Sequence, residues 1–144
     1  RASFNIGAKP TVLLALSGPN EIAWRLLVGA GDGSLTLLSL PNMVLIERLQ
    51  PHDCEITSLS AHRGSDGTVL LSGDSNGIVC VHGEQIPGGS VKLFSVDGAI
   101  NAIHCESEYI HVHIGWERQI LYWDGTVKGK SDASKQQRIT VNAS

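Results

Sequence analysis

The chain has 144 residues, of which 42% are hydrophobic and 17% are charged, and this composition is typical of a globular domain that buries a sizeable core. The net charge of −3 and the absence of a basic run give no reason to expect nucleic acid as the main partner. No apolar run approaches the roughly 18 residues that a membrane span needs.

In chain order, the sequence predicts three units of four short strands within one segment, residues 1–144. The first unit (11–49) has strands at 12–16, 23–28, 34–40 and 43–49, and the second (55–96) has strands at 55–61, 68–72, 77–82 and 90–96. The third (98–144) has strands at 99–104, 109–114 and 119–124. Its fourth strand is placed at 138–141, after residues 128–137, for which a loop, a short helix and a disordered stretch all remain open. The connections are rich in Gly, Asp, Asn and Pro, the residues that favour chain reversal.

A glycine-turn hairpin recurs three times, in segments that begin at Leu26, Leu70 and His111. The turn positions are assigned to Gly33, Gly77 and Arg118, which gives periods of 44 and 41 residues. A period of about 40–45 residues with several strands per unit is the signature of a β-propeller blade. The sequence therefore predicts an all-β fold, a partial β-propeller of about three four-stranded antiparallel blades.

These units resemble the WD40-repeat propellers, although the motifs are degenerate. Tyr122-Trp123-Asp124 stands where that family places its Trp-Asp pair, and Pro51-His52 resembles its Gly-His pair. Asp32-Gly33 and Asn76-Gly77 resemble its acidic turn.

The resemblance implies a structural network that joins a histidine, a strand serine or threonine, a turn acid and a tryptophan. In the second unit these positions hold His52, Ser72, Asn76 and His82. His82 stands in the place of the tryptophan.

Three blades are fewer than a propeller ring needs, since propellers close with at least about four. Open blade faces would expose apolar surface, so we expect further blades, either from the same polypeptide or from a partner chain. The start at Arg1 without an initiator Met favours a fragment of a longer chain. Cys54, Cys80 and Cys105 form an odd set without metal-like spacing, which favours reduced thiols and an intracellular protein, cytoplasmic or nuclear and not secreted.

Histidines suggest one candidate metal site. His111 and His113 are two residues apart on a strand and therefore share a face, and His104 lies on the preceding strand. The alternative, which we favour, is that they are hydrogen-bonded strand residues. Cys80 and His82 also share a face, but without an orienting acid they are interpreted as packing residues. We predict no catalytic residue and no cofactor.

Contact residues are expected at turns. Trp116 is placed at a hairpin tip beside Glu117 and Arg118, where it is either a partner anchor or folded back onto its own blade. The resemblance adds His52, Asp53 and Asp97, because WD40-like proteins often present binding residues at the entrances between blades.

Two functions follow from these predictions. The favoured one is a noncatalytic WD40-like scaffold that mediates protein–protein interactions within a larger assembly. The alternative is a catalytic or metal-binding propeller that uses the strand histidines.

Overall fold

A computed structural model describes residues 5–17, 24–40, 42–64, 67–82, 90–106, 109–115, 117–122 and 138–142. Within these ranges the chain forms twelve β-strands and no helix. The strands are β1 (Pro10–Ser17), β2 (Trp24–Ala30), β3 (Leu35–Leu40), β4 (Val44–Leu49), β5 (Ile56–Gly64), β6 (Gly67–Asp74), β7 (Ile78–His82), β8 (Ser90–Ser95), β9 (Ala102–Glu106), β10 (Tyr109–Ile114), β11 (Glu117–Tyr122) and β12 (Arg138–Asn142). A helix able to cross a membrane is accordingly not found in the described part of the chain.

The strands form three four-stranded sheets, each a simple antiparallel meander. Sheet 1 consists of β1–β4, sheet 2 of β5–β8 and sheet 3 of β9–β12. The meander follows from the sequence, because most of the strands have an alternating pattern and are joined by short connections that hold turn-forming residues. The predicted all-β class with three four-stranded antiparallel units is confirmed.

Sheet 2 is the middle layer of the three. Its first strand, β5, packs against β1 of sheet 1 and against β9 of sheet 3. The Thr11 hydroxyl on β1 donates a hydrogen bond of 2.6 Å to the Ile56 carbonyl oxygen on β5. The last strands, β4, β8 and β12, lie at the opposite edge of each sheet.

Alternation along the strands divides the side chains between two cores. On β7, Val79 and Val81 are fully buried toward sheet 3, while Cys80 and His82 lie on the other face. The core between sheets 2 and 3 contains Leu71, Val79, Val81, Leu93, Phe94, Val96, Ile100, Ile103, Ile110 and Val112. The core between sheets 1 and 2 contains Leu27, Leu35 and Ile56, with Val12, Leu14, Leu37, Leu49, Leu59 and Leu70 packed against it.

The third hairpin differs from the sequence prediction. Ile114 pairs with Glu117, so the turn lies between these two residues, and Gly115 adopts a left-handed φ of 56°. Arg118 is therefore a strand residue opposite His113 and is not the counterpart of Gly33 and Gly77. Two residues suffice here because the glycine supplies the positive φ that a tight hairpin requires. Residues 123–137, which include Trp123, Asp124 and the stretch 128–137, lie outside the described residues.

Candidate functional site

Two glycine turns hold the linkers that connect successive sheets. The Gly33 carbonyl accepts a hydrogen bond from the His52 N–H at 3.4 Å, and the Gly77 carbonyl accepts one from the Val96 N–H at 2.7 Å. Both glycines are left-handed, with φ of 85° and 88°. A Cβ on either would overlap the carbonyl oxygen of His52 or Val96, respectively. Each position therefore needs glycine for its conformation and also for the close approach of the linker.

A chain of four buried polar side chains lies between the first linker and sheet 2. His52 Nδ1 is 2.7 Å from Asp74 Oδ2, and His52 Nε2 is 2.6 Å from Ser72 Oγ. Ser72 Oγ is 2.7 Å from His82 Nε2. We call Asp74, His52, Ser72 and His82 the relay, and none of them is more than 3% exposed.

The hydrogen bonds assign a direction to the relay. A carboxylate only accepts, so His52 Nδ1–H donates to Asp74, and in this tautomer His52 accepts the Ser72 hydroxyl at Nε2. Ser72 Oγ then accepts the Nε2–H of His82. The remaining nitrogen, His82 Nδ1, is buried without a hydrogen-bond partner in the described part of the chain. Burial, followed by the electrostatic effect of the nearby His52 ring, lowers the pKa of His82 to about 3, so the His82 ring is neutral at pH 7.

Asp74 connects the relay to the rest of sheet 2. Its Oδ1 accepts the backbone N–H groups of Asn76 at 2.8 Å and Ile78 at 2.9 Å, which fixes the β6–β7 turn. Its backbone carbonyl accepts the N–H of Ile100, in the linker to sheet 3, at 3.1 Å. Burial of the carboxyl favours its protonated form, but hydrogen bonds from Ile78, His52 and Asn76 outweigh that effect and hold the pKa of Asp74 below 3.8. One residue thus anchors a turn and both linkers.

The structure corrects the acid that the resemblance implied. Asn76 is exposed, and its backbone N–H, not its side chain, bonds to Asp74. The relay acid is Asp74, two residues closer to β6. The sequence carried a signal for it, because Asp74 is the carboxylate nearest to Ser72 in this turn and Asn76 has no charge to offer His52. In sheet 1 the position 44 residues earlier is Ala30, which has no carboxylate.

Ser72, His52 and Asp74 have the spacing of a nucleophile, a base and an acid in a hydrolase. All three are buried, however, so a substrate cannot reach Ser72. Ser72 has no exposed surface, and both of its hydrogen-bonding functions are taken by the two histidines. The neighbouring Cys80 thiol lies 3.7 Å from the Pro51 carbonyl oxygen. Burial, followed by the charge of Asp74, raises the pKa of Cys80 to about 12 and keeps it protonated. The contacts of His52 with Asp74 and Ser72, and of the Pro51 carbonyl oxygen with Cys80, hold residues 50–55 against sheet 2.

The candidate metal ligands lie on the face of sheet 3 that points away from sheet 2. His104 and His111 are directly paired across β9 and β10, with ring centroids 5.9 Å apart, and His113 is two residues further on the same face. Across the described residues, no three His, Cys, Asp or Glu side chains converge on a common point that could hold a metal ion. The geometry therefore gives two adjacent imidazoles without a third ligand.

The sequence-predicted contact residues divide between the interior and the surface. We define the rim as the end of the sheets that carries the linkers 50–55 and 96–101, the turns 31–34 and 75–77, and Gly115. Asp53 and Asp97 are exposed in equivalent places on the two linkers, and Glu117 is exposed beside the third turn, with Arg118 half-buried. His52, by contrast, does not lie on the exposed surface of the rim, because its ring is buried in the relay. Trp116 lies outside the described residues.

Comparisons with known proteins bear on the fold. No protein-family model matches the chain. A stretch of 57 residues is 37% identical to human WD repeat-containing protein 90, covering 40% of this chain and 3% of that protein. The β-propeller domain of Myceliophteria thermophila Cps50 (Swd1) superposes over 93% of this chain with a TM-score of 0.68 and 16% identity. The fold is that of a β-propeller segment.

A second solved structure supports the same fold. The computationally designed Ika8 protein superposes over 81% of the segment with a TM-score of 0.57 and 21% identity. The segment spans 39% of the Cps50 chain and 33% of the Ika8 chain. The relay contains His52, Ser72 and His82, three of the four residues that the resemblance placed in a network, with Asp74 as its acid.

Proposed function

We propose that this WD40-like segment is a noncatalytic scaffold whose rim binds protein partners within a larger assembly. The proposal rests on a hydrogen bond that is repeated on both linkers, in which the carbonyl oxygen of Gly33 or Gly77 accepts a backbone N–H of the linker. We call each of these hydrogen bonds a clamp. Each clamp holds the residue before an exposed aspartate, Asp53 or Asp97. A rigid backbone that displays exposed charged groups at equivalent places offers a recognition surface at little entropic cost.

The segment further provides surfaces for additional blades. Leu13 on β1 is 61% exposed, and it lies on the face opposite Leu14, which packs toward sheet 2. An exposed leucine on the outer face of sheet 1 favours coverage by another sheet. The solved structures similar to this segment are longer chains, which supports the same proposal. In our proposal the additional blades come from the same polypeptide or from a partner chain.

The test is quantitative affinity purification from cells with an Asp53→Lys/Asp97→Lys double variant. Glu47→Lys is the matched control, since Glu47 is also an exposed acid but lies on β4, outside the rim. We expect the double variant to lose partners that the wild-type protein and the control both retain, while all three have the same circular dichroism spectrum. Retention of every partner by a folded double variant would contradict the proposal.

A further inference from the structure

We propose that the relay is an acid-sensitive latch, in which a proton taken up at His82 opens the contact that holds residues 50–55 on sheet 2. The inference concerns the opening of this linker and stands independently of the proposed binding function.

A second proton on His82 would create an N–H group that has no hydrogen-bond acceptor in the described part of the chain. Its Nε2–H already donates to Ser72, so an added proton must occupy Nδ1. That nitrogen is buried and has no hydrogen-bond partner in the described part of the chain, and the residue is only 2% exposed. A buried cation with an unsatisfied N–H is costly, whereas the same imidazolium in an opened state is hydrated. Proton uptake therefore favours the opened state.

The charged and titratable groups around His82 do not offset this cost. The carboxylate of Asp74 is separated from His82 by Ser72 and His52, and one of its oxygens already accepts the His52 Nδ1–H. Cys80 stays protonated and carries no charge. His52 lies on the linker, Lys92 lies on β8, and Arg25 and Glu47 lie on the face of sheet 1 that looks toward sheet 2. Lys92, Arg25 and Glu47 are exposed, so solvent screens their charges.

The sign of the effect follows from proton linkage. In the opened state His82 has its ordinary pKa of 6.5, whereas in the closed state its pKa is lowered to about 3. Between these two pH values the opened state holds more protons, so the opening constant rises as the pH falls, by up to about tenfold per pH unit. Above pH 6.5 His82 is neutral in both states, so it no longer changes the opening constant.

The experiment is hydrogen exchange of the intact chain between pH 7.5 and 5.0, with protection factors corrected for the intrinsic exchange rate. We expect the protection of the Ser75 N–H, which donates to the Glu55 carbonyl oxygen of the linker, to fall by up to about tenfold per pH unit below pH 6.5. The His82→Gln variant keeps an amide donor for Ser72 but does not titrate, so this component should disappear. His113→Gln, a histidine replacement outside the relay, should behave like the wild-type protein. Equal pH dependence in the wild-type and His82→Gln proteins would overturn the latch.

A second measurement does not depend on the folding of any variant. Nitrogen-15 NMR of the imidazole groups in the wild-type protein should show His82 as the neutral Nε2–H form at pH 7, and still neutral in the folded population at pH 5. Titration of His82 near pH 6.5 in the folded protein would also refute the proposal, because the closed state would then accept the proton without penalty.

Discussion

His52 and Val96 stand 44 residues apart and occupy the same place in successive linkers, each donating its backbone N–H to a left-handed glycine. Their side chains lie in different environments. His52 enters the polar relay between sheets 1 and 2, whereas Val96 joins the apolar core between sheets 2 and 3. The backbone hydrogen bond is thus repeated, but the junction between sheets 1 and 2 is polar at this position and the junction between sheets 2 and 3 is hydrophobic. The two junctions should respond differently to pH.

The first prediction concerns Gly77. A Gly77→Ala variant should lose about 2–4 kcal/mol of unfolding free energy, because a Cβ would strain the left-handed backbone and overlap the Val96 carbonyl oxygen. Chemical denaturation followed by fluorescence measures the loss. Gly7→Ala separates the two causes, since Gly7 has a φ of 78° but open space around it, and it should cost about 1 kcal/mol. Equal losses at both positions would show that the linker contact contributes nothing.

The second prediction distinguishes Asp74 from Asn76. Asp74→Asn should destabilise the fold by about 2–4 kcal/mol, because a charge-assisted hydrogen bond to buried His52 is lost. Asn76→Asp restores the acid at the position that the family resemblance implied, yet it should change stability by less than about 0.5 kcal/mol, since that side chain is exposed. Urea denaturation of the two variants and the wild-type protein measures these changes in unfolding free energy. A larger effect at Asn76 than at Asp74 would reverse our assignment of the relay acid.

The third prediction compares two buried serines. Ser72→Ala should cost about 2–4 kcal/mol, because both histidines lose a partner inside the protein. Ser58→Ala removes a buried hydroxyl that has no hydrogen-bond partner in the described part of the chain, so it should be neutral or slightly stabilising. Thermal melts of the two variants at the same protein concentration provide the measurement. Similar melting temperatures would argue that the relay adds no stability.

The fourth prediction concerns the acid dependence of the contribution from Asp74. Its folded pKa lies below the ordinary 3.8, so near that pH the unfolded state binds more protons than the folded state. The stabilisation is complete above pH 3.8 and is lost as the pH falls through the folded pKa. The difference in unfolding free energy between the wild-type protein and Asp74→Asn should therefore be constant from pH 7 to pH 5 and smaller at pH 3. A difference that grows on acidification would contradict this sign.

Much of the fold could be predicted because its determinants are local. Strand alternation and turn residues are encoded within about ten residues, so Gly33 and Gly77 can be identified as turn glycines from the amino-acid sequence alone. The prediction of the third turn at Arg118 is wrong because Gly115 permits a shorter hairpin, and spacing inherited from the first two repeats conceals that change.

The side-chain network could be predicted only in part. Its members His52, Ser72 and His82 follow from the resemblance, but the choice between Asp74 and Asn76 depends on where the linker crosses the turn, which is a long-range contact. The burial of His52 has the same cause. A linker residue is expected to be exposed unless a neighbouring sheet covers it, and the sequence does not show that coverage.

The double attachment at Asp74 has a consequence for how the segment unfolds. Its side chain holds the linker from sheet 1 through His52, and its backbone carbonyl holds the linker to sheet 3 through Ile100. Repeat arrays commonly lose their units one after another, since each unit contacts only its neighbours. Here the two junctions share one residue, so breaking either junction loosens the other. The three sheets should melt in a single cooperative transition, although no contact between sheets 1 and 3 is needed to couple them.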